Sequence, residues 1–263
     1  MNALEIRGLT KRRGDFALQG LDLTLPAGCI MGLIGENGAG KSTTIRLILN
    51  ALSRDGGTVA VYGKDNRALT PLEREDIGAV LDEVGLPEYM TARQIGRMMA
   101  GIFARWQPEV YRGYLRRLAL PEDKPFRDFS RGMKMKLGLA AALSHQPKLL
   151  LLDEATSGLD PVVRDDILTI LSDFTRDEEH AVLISSHIVS DLEKICDYIA
   201  FLHKGRLLLC EEKDRLTEEY GILRGDTDGI APAAVCGRHA TPYGTEYLVR
   251  RSAVPAGMAL GQV

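Results

Sequence analysis

The first third of the chain alternates between strand-like and helical patterns of apolar residues. Residues 4–10 and 16–25 read as strands separated by the turn-like segment KRRGD, and CIMGLIG at 29–35 reads as a buried strand. Apolar residues then recur at helical spacing within KSTTIRLILNAL, residues 41–52. The pattern therefore predicts a strand, a glycine-rich turn and a helix in succession.

The rest of the chain divides into three parts by its pattern. Amphipathic helical segments interrupted by prolines fill residues 84 to about 143, which predicts a helical insertion. From about residue 213 the chain is polar and loop-rich, and only TEYLVRR, near 245–251, suggests a strand. Elsewhere, short apolar strands alternate with helices near 161–175 and 189–196; these strands are 58–63, 77–81, 149–153, 182–186 and 199–209. Such alternation indicates an α/β fold with a mostly parallel sheet covered on both faces.

Composition narrows the class of protein. The 263 residues carry 33 Lys and Arg against 36 Asp and Glu, a net charge of -3, so no global positive field attracts nucleic acid or an anionic membrane. The four cysteines have no C-x-x-C spacing, which is typical of packed thiols in a reducing compartment. No apolar run has the length of a signal peptide core or of a membrane span, about 20 residues. We expect a soluble intracellular protein.

The turn after the third strand carries a phosphate-binding motif. GENGAGKS matches G-x-x-x-x-G-K-[ST] and lies between a strand and a helix, as the motif requires. Backbone N–H groups of such a loop point at phosphate oxygens, and the helix that follows adds its positive end. Lys41 is expected at the β- and γ-phosphates, Ser42 at Mg²⁺ and Thr43 at the α-phosphate. The predicted nucleotide-binding residues of the loop are Gly35, Glu36, Asn37, Gly38, Ala39, Gly40, Lys41, Ser42 and Thr43.

Two further strands end in residues suited to nucleotide hydrolysis. Four consecutive leucines predict a buried strand that ends at Asp153, and a buried carboxylate there is costly unless it meets a cation such as Mg²⁺. The adjacent Glu154 is the candidate for polarising water against the γ-phosphate. His187 follows the apolar strand AVLISS, and its imidazole is expected to reach the same phosphate.

Four segments together resemble the ATP-binding cassette (ABC) family, the ATPase subunits of ABC transporters. They are GENGAGKST at 35–43, FSRGM at 129–133, LLLLDEATSGLD at 149–160 and His187, and the resemblance spans about residues 1–212. It implies the ABC ATPase fold: a P-loop NTPase core with a mostly parallel sheet, an N-terminal antiparallel β subdomain and an inserted helical subdomain at about 84–143. Residues 213–263 are left as a small C-terminal extension.

The resemblance also implies a dimer that closes around ATP. FSRGM stands at the position of the family's signature, which opens a helix and faces the ATP held by a second subunit, so Ser130 and Gly132 are expected to contact that ATP. Ser130 suits an N-cap, and Gly132 permits close backbone approach. Residues 157–160 would form the loop that crosses the same interface. The partner is a second copy or a related ATPase, and the sequence leaves both possibilities open.

Three positions depart from the family pattern. Arg131 replaces the first glycine of the signature, which either disturbs the backbone or adds a cation near the γ-phosphate. Asp82 stands where a glutamine that senses Mg²⁺ is usual, with Glu83 as the alternative metal ligand. Arg13 stands near the expected adenine-stacking aromatic, so either its guanidinium or Phe16 covers the base; a purely structural role for Phe16 in the strand is the other interpretation.

The resemblance implies ATP hydrolysis with Mg²⁺ that drives transport through separate transmembrane permease subunits, on the inner face of the cell membrane. The sequences of the motifs are similar to those of ATPases that drive the export of drugs and antimicrobial peptides. Residues 82–89 with Met98, Met99 and Phe103 are candidates for a groove that receives the permease. The alternatives are a soluble ABC ATPase acting on ribosomes or DNA, which the acidic net charge disfavours, and a nucleotide-gated module with negligible turnover, which Glu154 disfavours.

Overall fold

The structure is a computed structural model, and it describes residues 1–224, 227, 230–241, 244–255 and 260–261, with the backbone alone at 238–241. The remaining residues of the predicted extension 213–263 lie outside these ranges. Two compact units divide the chain, Met1–Cys210 and Glu211–Val263.

Thirteen strands are present in the described ranges. In chain order they are β1 (Asn2–Arg13), β2 (Phe16–Pro26), β3 (Ile30–Ile34), β4 (Gly56–Val61), β5 (Lys64–Asp65), β6 (Ile77–Val80), β7 (Leu149–Asp153), β8 (Ala181–Ser186), β9 (Tyr198–His203), β10 (Arg206–Glu212), β11 (Tyr220–Arg224), β12 (Val235–Thr241) and β13 (Gly244–Arg250).

Eight α-helices accompany these strands in the same ranges. They are α1 (Lys41–Ile48), α2 (Pro71–Arg74), α3 (Ala92–Ala100), α4 (Pro108–Arg117), α5 (Arg131–Leu143), α6 (Pro161–Phe174), α7 (Val189–Ile195) and α8 (Lys213–Glu219). The predicted helices near 161–175 and 189–196 are confirmed to within one residue.

A six-stranded sheet in the order β10-β9-β3-β8-β7-β6 forms the centre of the first unit. Its strands from β9 to β6 pair in parallel. Every residue of β3, β7 and β8 is buried, because apolar residues cover both faces of the sheet. The predicted buried strand 149–153 coincides with β7.

A second sheet, in the order β2-β1-β4-β5, is antiparallel throughout. Its alternating side chains, among them Leu4, Ile6, Leu23 and Leu25, join the apolar cluster that also covers one face of the parallel sheet. The antiparallel N-terminal β subdomain expected from the family resemblance is therefore present.

Helices α3, α4 and α5 occupy the predicted insertion. Tyr111 and Leu115 of α4 are buried in one cluster with Ile95 of α3 and Met135 of α5. Thr91 caps α3, because its hydroxyl accepts from the backbone N–H of residue 94 and the Gln94 side chain accepts from the backbone N–H of Thr91.

Two predictions about strands were wrong. The run 199–209 is two strands, β9 and β10, since Lys204 and Gly205 adopt left-handed φ angles of 46° and 77° and turn the chain between them. The second unit was predicted to hold one strand, yet it holds a three-stranded sheet in the order β11-β13-β12. Its small apolar cluster contains Leu223, Ile230 and Val249.

Candidate active site

The carboxyl ends of four neighbouring strands, β3, β8, β7 and β6, carry the residues singled out by the sequence. The glycine-rich loop 35–40 follows β3, Asp153 ends β7, and His187 comes directly after β8. Asp82 lies two residues beyond β6. Because parallel strands end at a common edge, residues far apart in the chain are brought together there.

Two glycines of loop 35–40 lie where a side chain would collide with the protein. A Cβ atom on Gly35 would lie 2.3 Å from the carbonyl oxygen of Leu202, and one on Gly40 would lie 2.7 Å from Cζ of Phe16. Gly40 also has a φ of 113°, which residues with a side chain rarely adopt. The loop therefore packs closely, and α1 begins directly after it with N–H groups that have no partner inside the helix.

Lys41 is held by the loop and by an acid. Its side chain is only 5% exposed, and Nζ donates to the carbonyl oxygens of Gly35 at 2.7 Å and Glu36 at 3.4 Å. The same Nζ lies 3.1 Å from Oε1 of Glu154. The ammonium group is thus fixed between loop 35–40 and the candidate catalytic carboxylate.

Glu154 occupies a strained position directly after β7. Its φ is 52°, in the left-handed region, and its N–H donates to the Ser185 carbonyl oxygen at 3.1 Å and to Ser185 Oγ at 3.0 Å. Oε2 lies 2.7 Å from Nδ1 of His187. Oε1 is buried and accepts no hydrogen bond from the described residues, so its contact with Lys41 is an ion pair without hydrogen-bond geometry.

Asp153 is fixed by a serine that the sequence reading missed. Ser185 Oγ donates to Oδ1 of Asp153 at 2.6 Å, and both residues are buried. Ser185 therefore contacts both acids at the end of β7. A signal for it existed, because a serine inside a wholly buried strand needs a hydrogen-bond partner.

A cleft of about 380 Å³ opens beside these groups. All eleven residues that line it were predicted from the sequence to bind nucleotide, catalyse or hold metal. They are Arg13, Phe16, Glu36, Asn37, Gly38, Gly40, Lys41, Ser42, Thr43, Asp82 and Glu154.

Both aromatic and cationic candidates for covering a base lie at this cleft. Arg13 and Phe16 face each other in the register of β1 and β2. Phe16 also packs on the apolar cluster beneath the N-terminal sheet. The cleft-lining and the structural interpretations of Phe16 are therefore compatible.

The helix start at FSRGM is well formed. Ser130 is the N-cap of α5, and its Oγ accepts from the N–H of Met133 at 3.3 Å. A Cβ on Gly132 would lie 3.2 Å from Cγ1 of Val163 on α6, so the absence of a side chain there serves close packing within the chain. Ser130 and Gly132 are not among the residues that line the cleft.

Arg131 does not disturb the backbone of α5, which keeps its cap. Its guanidinium donates to Oδ1 of Asp82 at 2.8 Å. Two of the three departures from the family pattern, Arg131 and Asp82, thus form an ion pair with each other.

The sequence of the chain was compared with models of known protein families. Residues 18–157 match the ABC transporter family. The chain belongs to that family. It is an ATP-binding subunit with ATPase activity coupled to transport, and the predicted ABC ATPase fold is confirmed.

Relatives of known name agree with this membership. The chain is 32% identical over 218 residues to the ABC transporter ATP-binding protein YtrB of Bacillus subtilis (strain 168), covering 82% of this chain and 74% of the relative. It is 32% identical over 208 residues to the bacitracin transport ATP-binding protein BcrA of Enterococcus faecalis, covering 78% and 68%. These relatives do not support the alternative of an ATPase acting on ribosomes or DNA.

A solved structure shares the fold. An ATP-binding subunit of an ABC transporter superimposes with a TM-score of 0.74 at 27% identity, covering 81% of this chain and 91% of that one. None of the helices in the described ranges has the length and apolar character needed to cross a membrane.

Proposed function

We propose that the cleft at the end of β3 binds ATP through loop 35–40 and the start of α1, and that hydrolysis there powers export through separate permease subunits. The observation that carries this proposal is the meeting of Lys41, Asp153, Glu154 and His187 at one edge of the parallel sheet. Lys41 would contact the β- and γ-phosphates, with Arg13 and Phe16 beside the base.

The acids at this edge fit a Mg²⁺ ion. Asp153 is 3% exposed and is not part of any ion pair found among the described residues, so its buried charge lacks a cation. The described residues contain no cluster of three or more His, Cys, Asp or Glu suited to hold a metal alone. Ser42 and Asp153, with Asp82, would therefore hold the ion together with phosphate oxygens and water. Bound Mg²⁺ would offset the negative charge of the triphosphate.

Glu154 is suited to act as the general base. Its Oε1 accepts no hydrogen bond from the described residues and has only the ammonium group of Lys41 as a charged neighbour, so once a γ-phosphate draws Lys41 away this oxygen would accept a proton of water. The water oxygen attacks the γ-phosphorus, the bond to the β,γ-bridging oxygen breaks, and the carboxylate accepts the proton, giving ADP and inorganic phosphate. His187, 2.7 Å from Oε2, would orient this carboxylate and approach the γ-phosphate.

Turnover tests this assignment. We expect Glu154→Gln to lower the rate of ATP hydrolysis by about 100-fold or more, since general bases commonly contribute that much. Unchanged hydrolysis would refute the role of Glu154.

We infer that Ser130 and Gly132 complete the ATP site of a second subunit, and that residues 157–160 lie at the same interface. Ser130 caps the first turn of α5, and Ser130 and Arg131 are both exposed, so the positive end of this 13-residue helix is accessible. ATP held between two chains favours the dimer, and hydrolysis releases it. The partner is a second copy or a related ATPase.

Ultracentrifugation of the chain carrying Glu154→Gln, with ATP and Mg²⁺, tests the dimer. A shift to twice the mass, weakened by Ser130→Ala, is the expected result. A strictly monomeric ATP complex contradicts the proposal.

An apolar hollow of about 310 Å³ between β6 and the helical insertion is suited to a permease segment. Val84, Leu86, Met99 and Phe103 contribute to its lining, and Met98 is not part of it. Tyr89 nearby is 77% exposed. Because the relative BcrA is named for bacitracin transport, export of an antimicrobial compound is the proposed direction and cargo class.

Purification of the tagged chain from its host membrane tests the permease. Recovery of integral membrane proteins is expected, with loss of that recovery in Phe103→Asp. Recovery of ribosomes or DNA in their place would contradict the proposal.

A further inference from the structure

Arg131 connects three segments that belong to different parts of the fold. It is the first residue of α5, its guanidinium donates to Asp82 beyond β6, and it lies against Gly158 between β7 and α6. A Cβ on Gly158, whose φ is 68°, would lie 3.5 Å from Nη1 of Arg131. One side chain therefore contacts the segment after β6 and the segment that leads from Glu154 to α6.

Asp82 is at once the partner of Arg131 and a wall of the phosphate cleft. It lines the same cleft as Lys41 and Ser42. A free carboxylate there would repel a triphosphate, and the guanidinium removes that repulsion by pairing with it. Arg131 itself does not line the cleft, so its charge acts through Asp82.

The ion pair between Arg131 and Asp82 is weak, so a stronger partner can replace Arg131 at the Asp82 carboxylate. The side chains of Arg131 and Asp82 are 54% and 53% exposed, and ion pairs with such exposure contribute little to stability. A divalent cation bound to a triphosphate is a stronger partner for the carboxylate than an exposed guanidinium.

We propose that Arg131 is a positioning residue for the metal site: it holds Asp82 while the cleft is empty and releases it when a metal–nucleotide complex binds. This inference rests on the proposed function of the cleft. Its consequence is that the start of α5, which is proposed to serve the nucleotide of a second subunit, loses a contact when its own chain is loaded. Binding of the metal–nucleotide complex in one chain's cleft is thereby linked to the position of the α5 start that serves the second subunit's nucleotide.

The ion pair is tested without nucleotide by NMR of the Arg131 guanidinium. We expect Asp82→Asn to shift its ¹⁵N–¹H signals and to speed their exchange with water. Asp166→Asn is the matched control. It breaks the pair between Asp166 of α6 and Lys136, which lies on the same helix as Arg131, and it leaves the contact of Arg131 unchanged. If the Arg131 guanidinium signals and their exchange rate are the same in Asp82→Asn, the ion pair does not exist and the inference is wrong.

The exchange is tested by Mn²⁺ binding, read by electron paramagnetic resonance in the presence of a non-hydrolysable ATP analogue. Arg131→Gln is expected to tighten Mn²⁺ binding about two- to fivefold in the chain that retains Asp82, the range expected when an exposed pair no longer competes. In Asp82→Asn protein the same change should have a smaller effect, because the carboxylate that Arg131 competes for is gone. An equal gain in both backgrounds would mean that Arg131 acts only as a distant charge, and the inference fails.

The two tests separate this inference from the proposed function. If the unaltered chain binds no ATP analogue, the proposed function fails together with the metal exchange, whereas the NMR result still decides whether the pair exists. If the analogue and Mn²⁺ bind but the two backgrounds respond alike, the proposed function stands and Arg131 has no positioning role.

Discussion

Removal of the charge on Glu154 should strengthen ATP binding while it abolishes turnover. Oε1 of Glu154 lies 3.1 Å from Nζ of Lys41, and their side chains are only 15% and 5% exposed. ATP must take Lys41 away from this partner and place a γ-phosphate beside the carboxylate. Glu154→Gln keeps the size of the side chain and removes both costs.

The size of the effect follows from the contact. Two unit charges at this distance attract by about 5 kcal/mol at an effective dielectric constant of 20. Desolvation of the two charges offsets much of that attraction and leaves a net value of about 1.5–3 kcal/mol, at the lower end of the coupling energies of close charge pairs. Since 1.4 kcal/mol is a factor of ten, we expect ATP to bind about 10- to 100-fold more tightly to Glu154→Gln.

Equilibrium titration with ATP in EDTA measures this affinity, because the absence of free Mg²⁺ prevents hydrolysis in the unaltered chain too. Glu36→Gln is the control. Glu36 lines the same cleft, but its side chain is 74% exposed, so the same loss of charge should change the affinity by about twofold or less. If Glu154→Gln binds ATP no more tightly than Glu36→Gln does, Lys41 is not restrained by its acid and the reasoning is wrong.

Two further predictions concern the loop and the serine that the sequence reading missed. Gly40→Ala should weaken ATP binding by about tenfold or more and lower the free energy of unfolding by about 1–3 kcal/mol, because its Cβ would collide with Phe16. Gly38 has a φ of 82°, but nothing lies within 4 Å of a Cβ at that position. Gly38→Ala should therefore lower ATP affinity, measured by titration, and stability, measured by thermal unfolding, by smaller amounts. Ser185→Ala should lower turnover and cost about 1–3 kcal/mol of stability, since both acids after β7 lose its hydroxyl. Ser186→Ala, the neighbouring buried serine, should lower stability alone, and equal losses of turnover in the two variants would contradict the role given to Ser185.

The sequence predicted the features whose signals are local. Loop 35–40 and the strand 149–153 are each written in one continuous segment, and both were found where the pattern placed them. The turn at Lys204 and Gly205 was missed because apolar residues continue on both sides of it. The sheet of the second unit was missed because its strands are short and only partly buried, so their pattern barely differs from that of a loop.

Contacts between segments far apart in the chain could not be predicted from the sequence. Arg131 and Asp82 were each recognised as unusual, yet nothing in a single sequence indicates that two residues 49 positions apart form a pair. The buried strand around Ser185 indicates that its hydroxyl needs a partner, but not that the partners lie at the end of β7. These contacts depend on strand order, which the topology sets and the local pattern does not.

Several charged groups of the candidate site have partners within the chain. Lys41 pairs with Glu154, Arg131 pairs with Asp82, and Ser185 donates to the metal-binding candidate at the end of β7. A buried charge without a partner would destabilise the fold, so the contacts of Lys41 and Asp153 stabilise the cleft, whereas the half-exposed pair of Arg131 and Asp82 adds little. On the proposed function, ATP with its metal would bind by replacing internal partners, and its affinity would be the difference in free energy between two sets of contacts. Each replaced pair would free a group on a different segment, so the binding of one ligand would change contacts at β6, at β7 and at the start of α5 together.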